Sequence, residues 1–181
     1  MSDPHEVINQ LSPQDALSVL RALIDRDERI ATLAAEIAVE QLSSIDPEAI
    51  AFELYDQLDA LEVEEVWDRA GPTRHGYVDP GEAADQMVDE IVEPYLDRLK
   101  RFHALGMNAQ ANQLCKGLLW GLYRFEREST SGFKDWAPDA SIGFAWAVLD
   151  AWKEGSPSKS DIQILEAFVE NRLGGWGERY L

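Results

Sequence analysis

One segment, residues 108–128 (NAQANQLCKGLLWGLYRFERE), constrains the fold more than any other part of the sequence. Read at helical spacing, its apolar residues form a continuous stripe, which Leu119, Trp120 and Tyr123 widen to most of the circumference. The stripe itself consists of Ala111, Leu114, Cys115, Leu118, Leu122 and Phe125. Because a helix that is apolar on most sides is buried between neighbours, the segment predicts a central helix.

Two glycines, Gly117 and Gly121, lie one turn apart on this helix. Each lowers helix propensity by about 1 kcal/mol relative to alanine, so their spacing predicts close approach of another backbone. The same G-x-x-x-G spacing occurs in membrane helix dimers, but Lys116 and Arg124 flank it here. The apolar run also falls short of the roughly 20 residues of a membrane span, so we expect no membrane association.

Composition and length describe a globular protein. With 181 residues and 45% hydrophobic residues, the chain suits a single domain, 1–181, with the alternative of an N-terminal helical subdomain, 1–70, packed on 79–181. One cysteine excludes an internal disulfide framework. The polar opening MSDPHEVINQ is unlike a targeting sequence, and we therefore expect a cytoplasmic location.

Charge is the strongest bulk signal, with 34 acidic and 16 basic residues and a net charge of −18. Its distribution is uneven, because residues 46–97 carry a net charge of −14 and residues 98–127 a net charge of +5. Most of such a surface repels nucleic acid, which predicts no direct nucleic-acid binding. The acidity fits solubility, including adaptation to salt, and it also fits a basic partner.

Helix-start signals recur along the chain. Ser12-Pro13, Asp46-Pro47 and Asp79-Pro80 each place a capping side chain before a proline in the first turn. Together with apolar periodicity they predict helices near 12–26, 28–43, 46–61, 62–70, 79–105, 108–128, 140–154 and 160–173. Residues expected to face inward include Leu17, Leu20, Leu23, Ile24, Ile30, Leu33, Ile37, Ile91, Trp146 and Trp152. We also expect Asn108 to cap the central helix and Pro94 to kink its neighbour.

No strand-like alternation is evident, and no repeat of fixed period. The sequence therefore predicts an all-α fold of stacked antiparallel helix hairpins, about seven or eight helices, around a buried central helix at 108–128.

Residues suited to metal or covalent chemistry are few. The three histidines are scattered, and none has zinc-ligand spacing with Cys115, which fits a small core residue. Residues 25–36 imitate a calcium loop, but Ile30 stands where that loop needs glycine. Phosphate loops, nucleophile elbows and di-iron patterns are absent from the sequence. We therefore expect no metal and no cofactor, and the sequence leaves the question of an enzyme open, leaning against one.

Two irregular stretches, 67–79 and 124–139, concentrate arginines and aromatic residues, the types favoured in recognition sites. The candidate binding residues are Trp67, Arg69, Arg74, His75, Tyr77, Arg124, Lys134 and Trp136. Because the helices that follow the first stretch and precede the second are predicted to run antiparallel, both stretches should lie at one end of the domain. One interpretation is a site for an acidic or phosphorylated group; its competitor is an internal salt-bridge network that holds the loops.

A resemblance appears at these stretches. The motifs VWDRAGPTRHGYVDPGEAA and LYRFERESTSGFKDWAPDA, with the opening LSPQDALSVLRALIDRDERIATLA, resemble an uncharacterised all-helical family of prokaryotic, in particular archaeal, proteins. The opening is also similar to regions that follow SWIM-type zinc fingers. The finger's cysteines and histidine are absent, so no metal or nucleic-acid binding is implied. The resemblance implies a helical fold and no particular activity.

The sequence thus favours a non-enzymatic protein-interaction or scaffold module with an unknown protein partner that carries an acidic group. The alternative is an enzyme or small-ligand binder that recognises an anionic group through the arginine-bearing stretches 67–79 and 124–139. A deep pocket that joins Arg74, His75 and Arg124 would favour the alternative, and a shallow aromatic groove would favour interaction. The sequence leaves the oligomeric state open.

Overall fold

The computed structural model describes residues 3–74 and 76–176, and over that range the fold is all-α with one very short two-stranded sheet. The helices and strands are α1 (Pro4–Asn9), α2 (Pro13–Arg26), α3 (Glu28–Ser43), α4 (Pro47–Asp59), α5 (Val63–Arg69), β1 (Gly71–Thr73), β2 (Gly76–Val78), α6 (Pro80–Ala104), α7 (Asn108–Glu128), a 3₁₀ helix (Gly132–Asp135), α8 (Ala140–Glu154) and α9 (Lys159–Leu173). Of the described helices, none combines the length and apolarity required to span a membrane.

Contacts divide the chain into two compact units, Met1–Ser44 and Ile45–Leu181. The first contains α1–α3, and the second contains every later element. The sequence interpretation allowed a subdomain that ends near residue 70, whereas α4 and α5 belong to the same unit as α6–α9. The reason is physical, because α4 packs along the whole glycine-bearing side of α7.

The second unit is built around α7, as predicted. This helix packs against α4, α6, α8 and α9. Its predicted apolar stripe is buried throughout, together with both glycines: Ala111, Leu114, Cys115, Gly117, Leu118, Leu119, Gly121, Leu122 and Phe125. The widening residues Trp120 and Tyr123 are half-buried, and each meets another aromatic ring edge-on.

The two glycines of α7 form the notch that their spacing predicts. A Cβ atom on Gly117 would lie 2.7 Å from Cβ of Ile50 and 2.9 Å from the carbonyl oxygen of Pro47. A Cβ atom on Gly121 would lie 3.0 Å from the carbonyl oxygen of Ala51. Each distance is shorter than an ordinary van der Waals contact, so the backbone of α4 reaches α7 only because neither position has a side chain.

A polar chain ties three helices of this unit together, and the sequence did not reveal it. Nε1 of the buried Trp152 in α8 donates a hydrogen bond of 2.7 Å to the side-chain oxygen of Asn112 in α7. The amide nitrogen of Asn112 in turn donates to the carboxylate of Asp161. That carboxylate also closes a capping box with Ser158, the N-cap of α9, so the helix begins at Lys159, one residue before the predicted start. The buried indole is therefore satisfied, as buried polar groups require.

Most helix boundaries follow the predicted caps. The carboxylates of Asp46 and Asp79 accept hydrogen bonds from the first turns of α4 and α6. The prediction for Asn108 was wrong, because Met107 is the N-cap of α7 and makes no side-chain capping bond. Pro94 lies within the uninterrupted span of α6.

The short sheet was missed. Strands β1 and β2 pair antiparallel, with Gly71 opposite Val78 and Pro72 opposite Tyr77. Three residues per strand are too few to produce a visible alternation of apolar and polar residues. Gly71 and Gly76 adopt φ values of 113° and 136°, which only glycine reaches without strain.

The first unit departs most from expectation. None of the residues in α2 and α3 is buried, although the sequence predicted inward-facing stripes on both helices. The same correction applies to Trp146 in α8, which is exposed, and to Ile91 in α6, which is only half-buried. Periodicity identifies an apolar face correctly, but it does not supply a neighbour to cover that face.

Candidate functional site

The two irregular stretches meet, as the antiparallel arrangement of α6 and α7 predicts. Trp67 in α5 and Trp136 after the 3₁₀ helix stack edge to face, with ring centroids 4.8 Å apart and planes inclined by 75°. A Cβ atom on Gly81, in the first turn of α6, would lie 3.7 Å from the carbonyl oxygen of Trp136. The stretches 67–79 and 124–139 therefore share one end of the second unit.

Trp67 is 54% exposed although it stacks on another tryptophan. Val66, the residue before it, is fully buried, so the position of α5 is fixed by the core while the indole remains in solvent. Trp136 is half-buried. An exposed tryptophan held by such packing offers a rigid apolar contact with little conformational entropy left to lose.

The β-hairpin, residues 71–78, directly follows α5 and projects further side chains. Tyr77 is 70% exposed, and Arg74 is exposed in the turn. Among the described residues Arg74 has no hydrogen-bonding or ionic partner. His75, the remaining candidate in this turn, lies outside the described residues. We call Trp67, Trp136 and the β-hairpin together the tryptophan surface.

Lys134 is a candidate that the structure engages internally. Its Nζ atom donates hydrogen bonds of 2.7 Å and 3.0 Å to the carbonyl oxygens of Glu126 and Ser129, and it lies 6.0 Å from the ring centroid of Phe125. These carbonyls belong to the last turn of α7 and its C-cap, where the helix leaves acceptors without partners. Lys134 thus holds the end of α7 and does not face a ligand.

Arg69 also has an internal partner. Its guanidinium donates a hydrogen bond of 2.7 Å to the carboxylate of Glu90 in α6, and this bond raises the pKa of Arg69. The pair is solvent-exposed, so it contributes little to stability, but it orients the guanidinium along α6.

Arg124 is held on two sides. Its Nε atom donates to the carboxylate of Glu128 at 2.9 Å, and its guanidinium stacks over the ring of Tyr55 at 4.7 Å. Arg69, Lys134 and Arg124 thus each have a partner within the chain: a surface carboxylate for each arginine and two backbone carbonyls for the lysine.

A shallow groove between α6 and α8 continues from this end of the unit. Its floor is Gly143, Phe144 and Ala147, and a Cβ atom on Gly143 would meet nothing within 4 Å. Asp85 and Asp139 stand at its edge. Burial, and secondly the charge of Asp139, raises the pKa of Asp85. The sequence did not identify this groove, because Gly143, Phe144 and Ala147 form no recognisable motif.

The electrostatic balance of this end is acidic. Segment 46–97, which contains Trp67 and the β-hairpin, carries a net charge of −14. Such a segment attracts cationic groups and repels anionic ones. Among the described residues of the hairpin, Arg74 is the exception.

The described residues contain no cluster of three or more metal-ligating side chains. Cys115 is fully buried, and desolvation raises the pKa of its thiol well above the usual range, which makes it a poor nucleophile. Both ring nitrogens of His103 are buried and have no hydrogen-bond partner among the described residues. The imidazole packs on Gly155 at the end of α8.

Comparisons with known proteins add no identity, because neither a family model nor a curated protein nor a solved structure matches the chain. The resemblance to a prokaryotic helical family therefore stays a prediction.

Proposed function

We propose that the chain is a non-enzymatic protein-interaction module of the cytoplasm, and that the tryptophan surface is where it binds its partner. The observation that carries the proposal is Trp67, which is 54% exposed yet fixed edge-on against Trp136. Tryptophan is the residue most enriched among those that dominate binding energy, and rigid placement lowers the entropy lost on association.

The partner that this surface favours is a segment that presents an apolar side chain flanked by arginine or lysine. The apolar side chain would contact the exposed face of Trp67, and the cations would meet carboxylates of the acidic segment 46–97. Asp85 and Asp139 at the neighbouring groove extend the same acidic border. Charge complementarity of this kind speeds association and excludes acidic competitors.

The expectation of an acidic or phosphorylated partner receives less support from the contacts. It requires several free cations, and Arg69, Arg124 and Lys134 are all engaged within the chain. The same contacts weigh against the enzyme or small-ligand alternative, whose anionic substrate would need those groups. Of the candidate cations that the structure describes, Arg74 remains for an anionic group of either kind.

A tiled peptide array of the source organism's proteome tests the proposal directly. The array is probed with the full chain, with Trp67→Ser and with Trp146→Ser, which removes another exposed tryptophan on α8. We expect peptides with apolar residues and a net positive charge to bind the wild-type chain and Trp146→Ser, and to lose at least tenfold in signal with Trp67→Ser. Equal binding by all three proteins, no retained peptide, or selection of acidic peptides would refute the proposal.

A further inference from the structure

The first unit contains two helices whose formation is strongly encoded and whose apolar faces are uncovered. Ser12 caps α2 by accepting a hydrogen bond from the backbone of Asp15, and its hydroxyl donates back to the Asp15 carboxylate. Asp27 caps α3 in the same way through the backbone of Arg29. Local sequence thus specifies where both helices start.

Although capping signals specify these helices well, their apolar side chains are not buried. No residue of α2 or α3 is buried, and these helices and α1 expose an unusual number of aliphatic side chains at 36–59% of their surface. The exposed set is Val7, Ile8, Leu17, Val19, Leu20, Leu23, Ile24, Leu33, Ile37 and Val39. Isolated helices of 14 and 16 residues are marginal in water, and most helix stability in proteins comes from packing an apolar face. The α2–α3 hairpin is therefore incomplete without a further apolar surface.

We propose that this surface is the α2–α3 hairpin of a second copy of the chain, and that two hairpins form a four-helix bundle across a two-fold axis. A two-fold interface places one patch against itself, so an apolar hairpin face is matched by an identical one. When two hairpins associate as a four-helix bundle, every helix packs its apolar side against neighbouring helices.

The area available agrees with a dimer. The eight exposed aliphatic side chains on α2 and α3 offer on the order of several hundred Å² per copy, against the roughly 800 Å² per partner that a standard interface buries.

Charges around the apolar face permit self-association. Residues 1–44 carry eight acidic and three basic side chains, so both signs are present. Arg21 and Arg26 lie on α2, whereas Glu36 and Glu40 lie on α3. Because the net charge of each hairpin is negative, screening by salt should tighten the dimer; salt would weaken binding to a basic helix of another protein.

Analytical ultracentrifugation of the full chain over a wide concentration range, at low and high salt, tests the proposal. We expect the wild type to have an apparent mass twice that of the 20.3 kDa chain, and we expect the dimer to dissociate less at high salt. Leu20→Glu should be monomeric, and the control Ser18→Glu, an exposed position two residues away with the same added charge, should remain dimeric. A monomeric wild type, a larger oligomer, or a dimeric Leu20→Glu variant would overturn the proposal.

A second measurement avoids a disruptive charge. Leu20→Cys and Ser18→Cys each introduce a thiol at an exposed position, while the native Cys115 is fully buried. Maleimide labelling of Leu20→Cys should slow several-fold as protein concentration rises, whereas the rate for Ser18→Cys should stay constant. Protection of Leu20→Cys at concentrations where the chain sediments as a monomer would show that the face is covered within one chain or by another molecule. Labelling that is fast at every concentration would show that the face remains uncovered. Either result would refute the proposal that a second copy covers this face.

Discussion

Gly117→Ala is the sharpest perturbation of the core of the second unit, because alanine is ordinarily the better helix residue. At an open helical site the change stabilises by up to about 1 kcal/mol. At Gly117 the new methyl carbon would lie 2.7 Å from Cβ of Ile50, 2.8 Å from its Cγ2 and 2.9 Å from the carbonyl oxygen of Pro47. Two of these three atoms belong to the backbone or its first carbon, so rotation of a side chain cannot relieve the contact.

The magnitude follows from two opposing terms. Overpacking of a close-packed core costs typically about 1–3 kcal/mol when the backbone has to move. All three contacts are shorter than 3.0 Å, so the cost here should lie in the upper part of that range, about 2–3 kcal/mol. Helix propensity returns about 1 kcal/mol, so the net destabilisation should be roughly 1–2 kcal/mol. For a unit of this size that change corresponds to a fall in melting temperature of roughly 2–8 °C.

The assay is urea unfolding followed by tryptophan fluorescence. All six tryptophans lie after residue 44, so the signal reports on the second unit alone. Gly143→Ala in α8 is the matched control, because a Cβ atom there meets nothing within 4 Å, and it should stabilise by about 0.5–1 kcal/mol. Gly121→Ala, with its closest contact at 3.0 Å, should fall between the two, and Gly121→Val should destabilise by about 1–3 kcal/mol. If Gly117→Ala is as stable as the wild type, the notch does not bring α4 and α7 into the contact described.

Three further predictions concern other parts of the second unit. Gly155→Ala would place a methyl carbon 2.0 Å from Nδ1 of His103, and we expect a clearly lowered melting temperature that His103→Ala partly restores; additive effects of the two changes would contradict the contact. Cys115 should resist maleimide in the native protein and react fully in denaturant, because its thiol is buried; rapid native labelling would refute this. Hydrogen bonds from Ser158, chiefly from its hydroxyl, hold the pKa of Asp161 below its usual range, so its ionised form stabilises the fold above the ordinary carboxyl pKa of about 4. That contribution should disappear as pH falls through the lower folded-state pKa, and Asp161→Asn should remove this part of the acid sensitivity; an unchanged acid unfolding curve would contradict it.

The all-α fold could be predicted because each long helix carries its own signals. The apolar period of α7, the caps Asp46 and Asp79, and the two glycines of the notch are all local patterns with a direct structural meaning. The β-hairpin was missed because it carries no local pattern of this kind. Its order comes from Gly71 and Gly76 and from attachment between two helices, and three-residue strands contain no period to detect.

The candidate site was predictable in composition and position but not in the role of its charges. Aromatic and basic residues did mark the two stretches that meet, and Trp67 does contact Trp136. Sequence could not reveal that Lys134 satisfies the carbonyls at the end of α7 or that Arg124 stacks on Tyr55. A long cationic side chain reaches several acceptors, and only the folded geometry selects among them.

The first unit and the tryptophan surface present the same physical problem at different scales. In both, the sequence encodes apolar side chains whose burial would be favourable, and the chain leaves them in solvent: aliphatic stripes on α2 and α3, and one indole on α5. Burial of a whole stripe supports a permanent assembly, because the helices themselves depend on it. Burial of a single fixed tryptophan supports a reversible contact, because the core beneath Trp67 is complete without a partner. The two surfaces can therefore act independently, and a Leu20→Glu chain that is monomeric should still bind the peptides that Trp67 selects.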